Sequence, residues 1–93
     1  MFGFKRFKIE GESMLPTFKP GDRVVVDTKA QPKKGDVVVL RQPREDRLIV
    51  KRIARLKNGY YIVSGDNDAY STDSRAFGPA EKQQILGKVK YKY

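Results

Sequence analysis

Arg47-Leu48-Ile49-Val50-Lys51-Arg52-Ile53-Ala54-Arg55-Leu56-Lys57-Asn58-Gly59-Tyr60-Tyr61-Ile62-Val63-Ser64 holds two runs of β-branched and aromatic residues on either side of an Asn-Gly pair. Asn-Gly is the strongest two-residue hairpin signal, because both central positions of the favoured turn need positive φ. The stretch therefore predicts antiparallel strands over Arg47–Lys57 and Tyr60–Ser64. Working outward, Asp36–Arg41 and Arg23–Asp27 are valine-rich, and each is entered through a Gly-Asp pair, Gly35-Asp36 and Gly21-Asp22. Phe7–Glu10 alternates apolar and polar and predicts a first strand, and Ile85–Tyr91 predicts a closing one. Turn residues recur between these runs, as expected of an all-β domain. No segment sustains a helical period; Leu15–Lys19 and Ala80–Gln84 have room for one helical turn each.

Composition narrows the chemistry. The chain has 93 residues, enough for one modest core, so a single domain over residues 1–93 is expected. It contains no cysteine and no histidine. That excludes disulfides, thiolate nucleophiles, a Ser-His-Asp triad and nearly every transition-metal site. Acid–base or nucleophilic work falls to Ser, Thr, Tyr, Lys, Asp or Glu. No apolar run approaches the roughly 18–20 residues needed to span a membrane. Twenty Lys and Arg against eleven Asp and Glu give a net charge of +9, which favours an anionic partner or a solvated basic surface.

Two residues then stand out. Ser13 lies in Gly11-Glu12-Ser13-Met14-Leu15-Pro16-Thr17, after a strand and before a proline, with Gly11 free to turn the backbone sharply. A nucleophile needs such a turn, which exposes the hydroxyl and gathers backbone N–H groups near one point. A serine in an ordinary surface turn has the same local pattern. Lys51 sits mid-strand, and alternation places it on the face of Ile49 and Ile53. If that face is the inner one, desolvation lowers the lysine pKa and makes a general base. If the Val50–Arg52 face is inner, Lys51 reaches solvent; alternation alone leaves both open. The polar run from Ser64 to Gly78 fails as a calcium loop, because Tyr70, Ser71 and Phe77 stand where an acid or amide, Gly and Glu are required.

Taken together these segments resemble the type I signal peptidase family of Ser/Lys proteases. Ser13-Met14-Leu15-Pro16-Thr17 is similar to its nucleophile box, and Gly35-Asp36-Val37-Val38 to a Gly-Asp-apolar box. Lys51-Arg52-Ile53 resembles the box of the general base. Gly65-Asp66-Asn67 with Asp73-Ser74-Arg75 and Phe77-Gly78 resembles the last box. The likeness runs from about Ile9 to Lys90. It implies a small signal-peptidase/SOS-repressor-like catalytic β-domain with Ser13 as nucleophile and Lys51 as base, needing no metal and no cofactor. It further implies that Ser74 orients the Lys51 amine, that Asp73 and Arg75 hold that loop, and that Gly65, Asp66 and Asn67 shape the turn behind the site. Met14 and Gly11 are expected at the substrate. The Ser13 N–H is implied as one oxyanion donor; some members add a Ser hydroxyl where this chain has Gly11.

The chain departs from the family pattern in having only about a dozen residues before Ser13 and no large insertion between Arg52 and Gly65. A catalytic core without a membrane anchor is expected. Within the family it most resembles the small nickel-type superoxide dismutase maturation proteases. That likeness implies cytoplasmic removal of an N-terminal propeptide from a nickel superoxide dismutase precursor, with a leader-bearing polypeptide as partner and no nucleic acid. Three other readings compete. Phe2, Phe4 and Phe7, interleaved with Lys5, Arg6 and Lys8, suit peripheral contact with an anionic bilayer and signal-peptidase-type cleavage there. The self-cleaving SOS-repressor type shares the dyad but lacks the Gly-Asp-Asn/Asp-Ser-Arg box. A basic β-barrel stacking bases on Tyr60, Tyr61 or Tyr91 leaves Ser13 and Lys51 unexplained.

Overall fold

The computed structural model describes residues 3–42, 46–67 and 78–93. Among these residues six strands form one antiparallel sheet: β1 (Phe4–Lys8), β2 (Arg23–Asp27), β3 (Val37–Arg41), β4 (Leu48–Lys57), β5 (Tyr60–Ser64) and β6 (Ile85–Lys92). Their spatial order is β1-β2-β6-β3-β4-β5, so the last strand returns to the middle of the sheet. A 3-10 turn, Lys82–Gln84, precedes β6. The all-β expectation is met.

The central strand explains the architecture. β3 reads Val37-Val38-Val39-Leu40, and all four residues are buried. Val37 and Val39 pack with Ile9, Met14, Val24, Val26, Val50 and Val89. Val38 and Leu40 pack with Ile53, Tyr61, Val63 and Ala80. The two clusters use alternate residues of the same strand, so they lie on opposite faces of the sheet. A continuous apolar run is what a strand covered on both faces requires. Each such side chain contributes roughly 1.5–3 kcal/mol by leaving water.

Asn58 and Gly59 have φ of 52° and 83°, and the hairpin they close joins β4 to β5 as expected. Gly87 allows β6 to cross close to β2. A Cβ there would meet Val26 Cγ1 at 2.6 Å and the Asp27 carbonyl oxygen at 2.7 Å.

The first strand differs from expectation: it is Phe4–Lys8, where alternation pointed to Phe7–Glu10. Phe4 to Lys8 pair with Asp27 to Arg23 in unbroken register. This is an edge strand whose Phe4, Lys5, Arg6 and Lys8 are all exposed, so no apolar pattern announces it. Ile9 keeps the pairing for one more residue, its N–H donating to Asp22 O and its carbonyl accepting from Gly21 N–H. Gly11, at φ 74°, then turns the chain away.

Candidate active site

Ser13 is held on the turn that leaves β1. Met14, 1% exposed, plugs the next side chain into the core. The turn is closed locally by Phe18 N–H donating to Met14 O at 2.9 Å. It is fixed from the far side by Asn67, whose backbone N–H donates to Ser13 O at 2.8 Å and whose side-chain amide donates to Glu12 O at 3.0 Å. The Ser13 N–H has no acceptor among the described residues.

Lys51 lies in β4 opposite Val38 of β3 and is only 3% exposed, the one buried charged side chain among the described residues. The ambiguity left by alternation is thereby resolved. Both faces of β4 are covered, Val50 entering one cluster and Ile53 the other, and Lys51 is on the side of Ile53. Lys51 also has an interacting partner.

Ser13 and Lys51 line the same cleft, of about 370 Å³. One wall is Phe7 and the segment Glu10–Ser13; the other is Arg47–Lys51 of β4 with its approach, next to Gln42. β4 is paired unevenly along its length. Leu48–Arg52 pair with β3, whereas β5 pairs only from Arg52 onward. Among the described residues no strand covers the other edge of Leu48–Lys51. Ile53 exchanges backbone hydrogen bonds with Gly35 and Asp36 on the β3 side. The alternation of an antiparallel ladder turns the Val50 N–H and C=O the opposite way, into the cleft.

The two walls are tied together behind the site. Arg52 grips Asp66 with two parallel hydrogen bonds, Nε to Oδ1 at 2.9 Å and the second guanidinium nitrogen to Oδ2 at 2.8 Å. Its remaining nitrogen donates to Gly35 O at 2.7 Å. Asp66 also accepts from the Thr17 hydroxyl. One carboxylate thus joins the strand that carries Lys51 to the turn that carries Ser13. The Arg52 hydrogen bonds hold the Asp66 carboxyl below its ordinary value; burial opposes this and the Thr17 hydroxyl supports it. The same contact raises Arg52, so both partners stay charged.

Of the residues expected at the site, Ser13, Gly11 and Lys51 come together on the cleft. Asp66 and Asn67 bond to Arg52, Thr17, Ser13 and Glu12 behind it, next to buried Gly65. Met14, the other residue expected at the substrate, has its side chain in the core. Asp73, Ser74 and Arg75 lie outside the described residues. Sequence reasoning gave no role to Arg52 or Thr17. The signal that marks them is a half-buried acid, Asp66, needing a cation and a donor, but their separations of 14 and 49 positions hide the pairing.

Comparison with known proteins agrees with this geometry. Signal peptidase IB of Staphylococcus aureus (strain COL) is 27% identical over 145 aligned positions, covering 94% of this chain and 76% of that protein. An alignment of that length over 93 residues means the relative carries extra residues within the matched span. Signal peptidase I U of Bacillus subtilis (strain 168) is 32% identical over 84 residues, 86% of this chain, which spans 44% of that protein's length. The family model described as Peptidase S24-like matches residues 5–90. With a turn-borne serine and a buried lysine on one cleft, and relatives of this kind, the chain belongs to the Peptidase S24-like family and is a serine peptidase.

Proposed function

We propose that Ser13 and Lys51 form a Ser/Lys dyad that cleaves a peptide bond through an acyl-enzyme. The observation that carries this reading is the shared cleft: a serine on a tight turn and a lysine withdrawn from water face the same space. Burial disfavours an ammonium and favours the neutral amine that a general base must be. In the proposed reaction Lys51 Nζ takes the Ser13 Oγ proton as Oγ bonds to the scissile carbonyl carbon. The oxyanion that forms receives the Ser13 N–H. When the C–N bond breaks, Lys51 returns the proton to the leaving amine. It then activates the water that hydrolyses the ester. An extended substrate strand alongside Leu48–Lys51 would use the backbone groups of Val50 that face the cleft. In the same reading Ser74 orients the Lys51 amine, and Asp73 and Arg75 hold its loop.

For the substrate, we propose the N-terminal leader of a nickel superoxide dismutase precursor, cut in the cytoplasm. The resemblance of Met14–Thr17 and Ser71–Gly78 to the maturation proteases supports it. Co-expression with such a precursor should yield a product shortened at its N-terminus by mass spectrometry, and the Ser13→Ala protein should leave the leader intact. A second reading is favoured by the relatives, which are named signal peptidases: leader cleavage at a membrane surface. An intact precursor leader, with a generic signal-peptide substrate cut and the chain floating with anionic vesicles, would select that reading.

A further inference from the structure

Six of the eight acidic side chains in the described residues are engaged. Asp22, Asp27, Asp36, Asp46, Asp66 and Glu81 each accept a hydrogen bond or form an ion pair. Glu10 and Glu12 do neither with their carboxylates. This is unexpected in a chain of net charge +9, where cations to pair with are plentiful. Both glutamates are exposed and both line the cleft that holds Ser13 and Lys51, on the wall that leaves β1. They flank Gly11, around which a Cβ would meet nothing within 4 Å, so the space in front of them is open. Arg47 stands on the β4 side of the cleft and forms no ion pair with either. Two uncompensated carboxylates, one and three positions before Ser13, therefore border the space that a polypeptide must occupy to be cut.

We propose that Glu10 and Glu12 are specificity-determining residues that select a lysine or arginine side chain of the substrate within a few residues of the bond cleaved at Ser13. This rests on Ser13 being the nucleophile. The chemistry is charge-assisted hydrogen bonding from an ammonium or guanidinium to carboxylates that no cation among the described residues pairs with. An acidic substrate side chain at the same place would be repelled. In an extended peptide successive side chains point to opposite sides, so the selected cation and any group meeting Arg47 occupy alternating positions.

Cleavage of a randomised peptide library by the full chain, with cut sites read by mass spectrometry, tests this. Wild type should enrich Lys and Arg at one or two positions near the cut, by up to about fivefold per carboxylate, with the enrichment shrinking as salt rises. Glu10→Gln with Glu12→Gln should abolish the enrichment. Glu10→Lys with Glu12→Lys should replace it with enrichment of Asp and Glu. No basic enrichment in wild type, or enrichment that survives the glutamine pair, overturns the proposal. Cuts that persist in Ser13→Ala would instead overturn the dyad. If the library is left uncut, binding decides: the Ser13→Ala protein should bind a labelled lysine-bearing peptide about fivefold more tightly than its glutamine twin. Equal affinities would overturn the proposal.

Discussion

Asp66 accepts hydrogen bonds from both Arg52 and Thr17, and its charge is what those partners use. Because Arg52 holds its folded pKa below the unfolded value, the pair contributes stability that is present above about pH 3.9 and is lost as pH falls through the folded value. Asp66→Asn keeps the shape and removes the charge. It should cost about 1–2 kcal/mol at pH 7, an amount reduced by the partial exposure of Arg52. Urea midpoints of variant and wild type should converge as pH is lowered to 3 and below. A constant gap at every pH would mean the carboxylate's charge is irrelevant to the fold. At this scale local pattern left Ser13 and Lys51 only as candidates, and the family resemblance joined them. Arg52 and Thr17 were not, because their roles are set by contacts between distant segments.

Among the elements, β4 is the one that makes a site possible. Its first half pairs with β3 and its second half with β5, the two overlapping at Arg52, so among the described residues one strand supplies both an anchored core and an uncovered edge. The hairpin from β4 to β5 was legible in full, since Asn58-Gly59 fixes its turn chemistry. β1 was misplaced by about three residues because its charged exposed face hides the strand. The approach of β6 to β2 was also invisible, since a lone glycine in a strand does not say what it touches. It leads to a prediction: Gly87→Ala should destabilise the protein by about 1–3 kcal/mol, because the backbone of Asp27 cannot yield as a side chain can. A thermal melt unchanged by this substitution would show that the two strands can separate without cost.

For the whole molecule, the sheet order brings two remote segments to opposite walls of one cleft. β6 inserts between β2 and β3, so the turn before β2 and the start of β4 are separated in the sheet yet joined through Asp66 and Asn67. Composition restricted the chemistry before any contact was known, because a chain without His or Cys leaves lysine as the natural base for a serine. The central claim is that Ser13 and Lys51 act as a unit, and cleavage rates of four proteins test it most directly: wild type, Ser13→Ala, Lys51→Ala and the double variant, on one cleaved peptide. Each single variant should lose at least ~10³-fold in kcat, and the double variant should be little worse than either. Substantial turnover by Ser13→Ala, or losses that multiply in the double variant, would contradict the account.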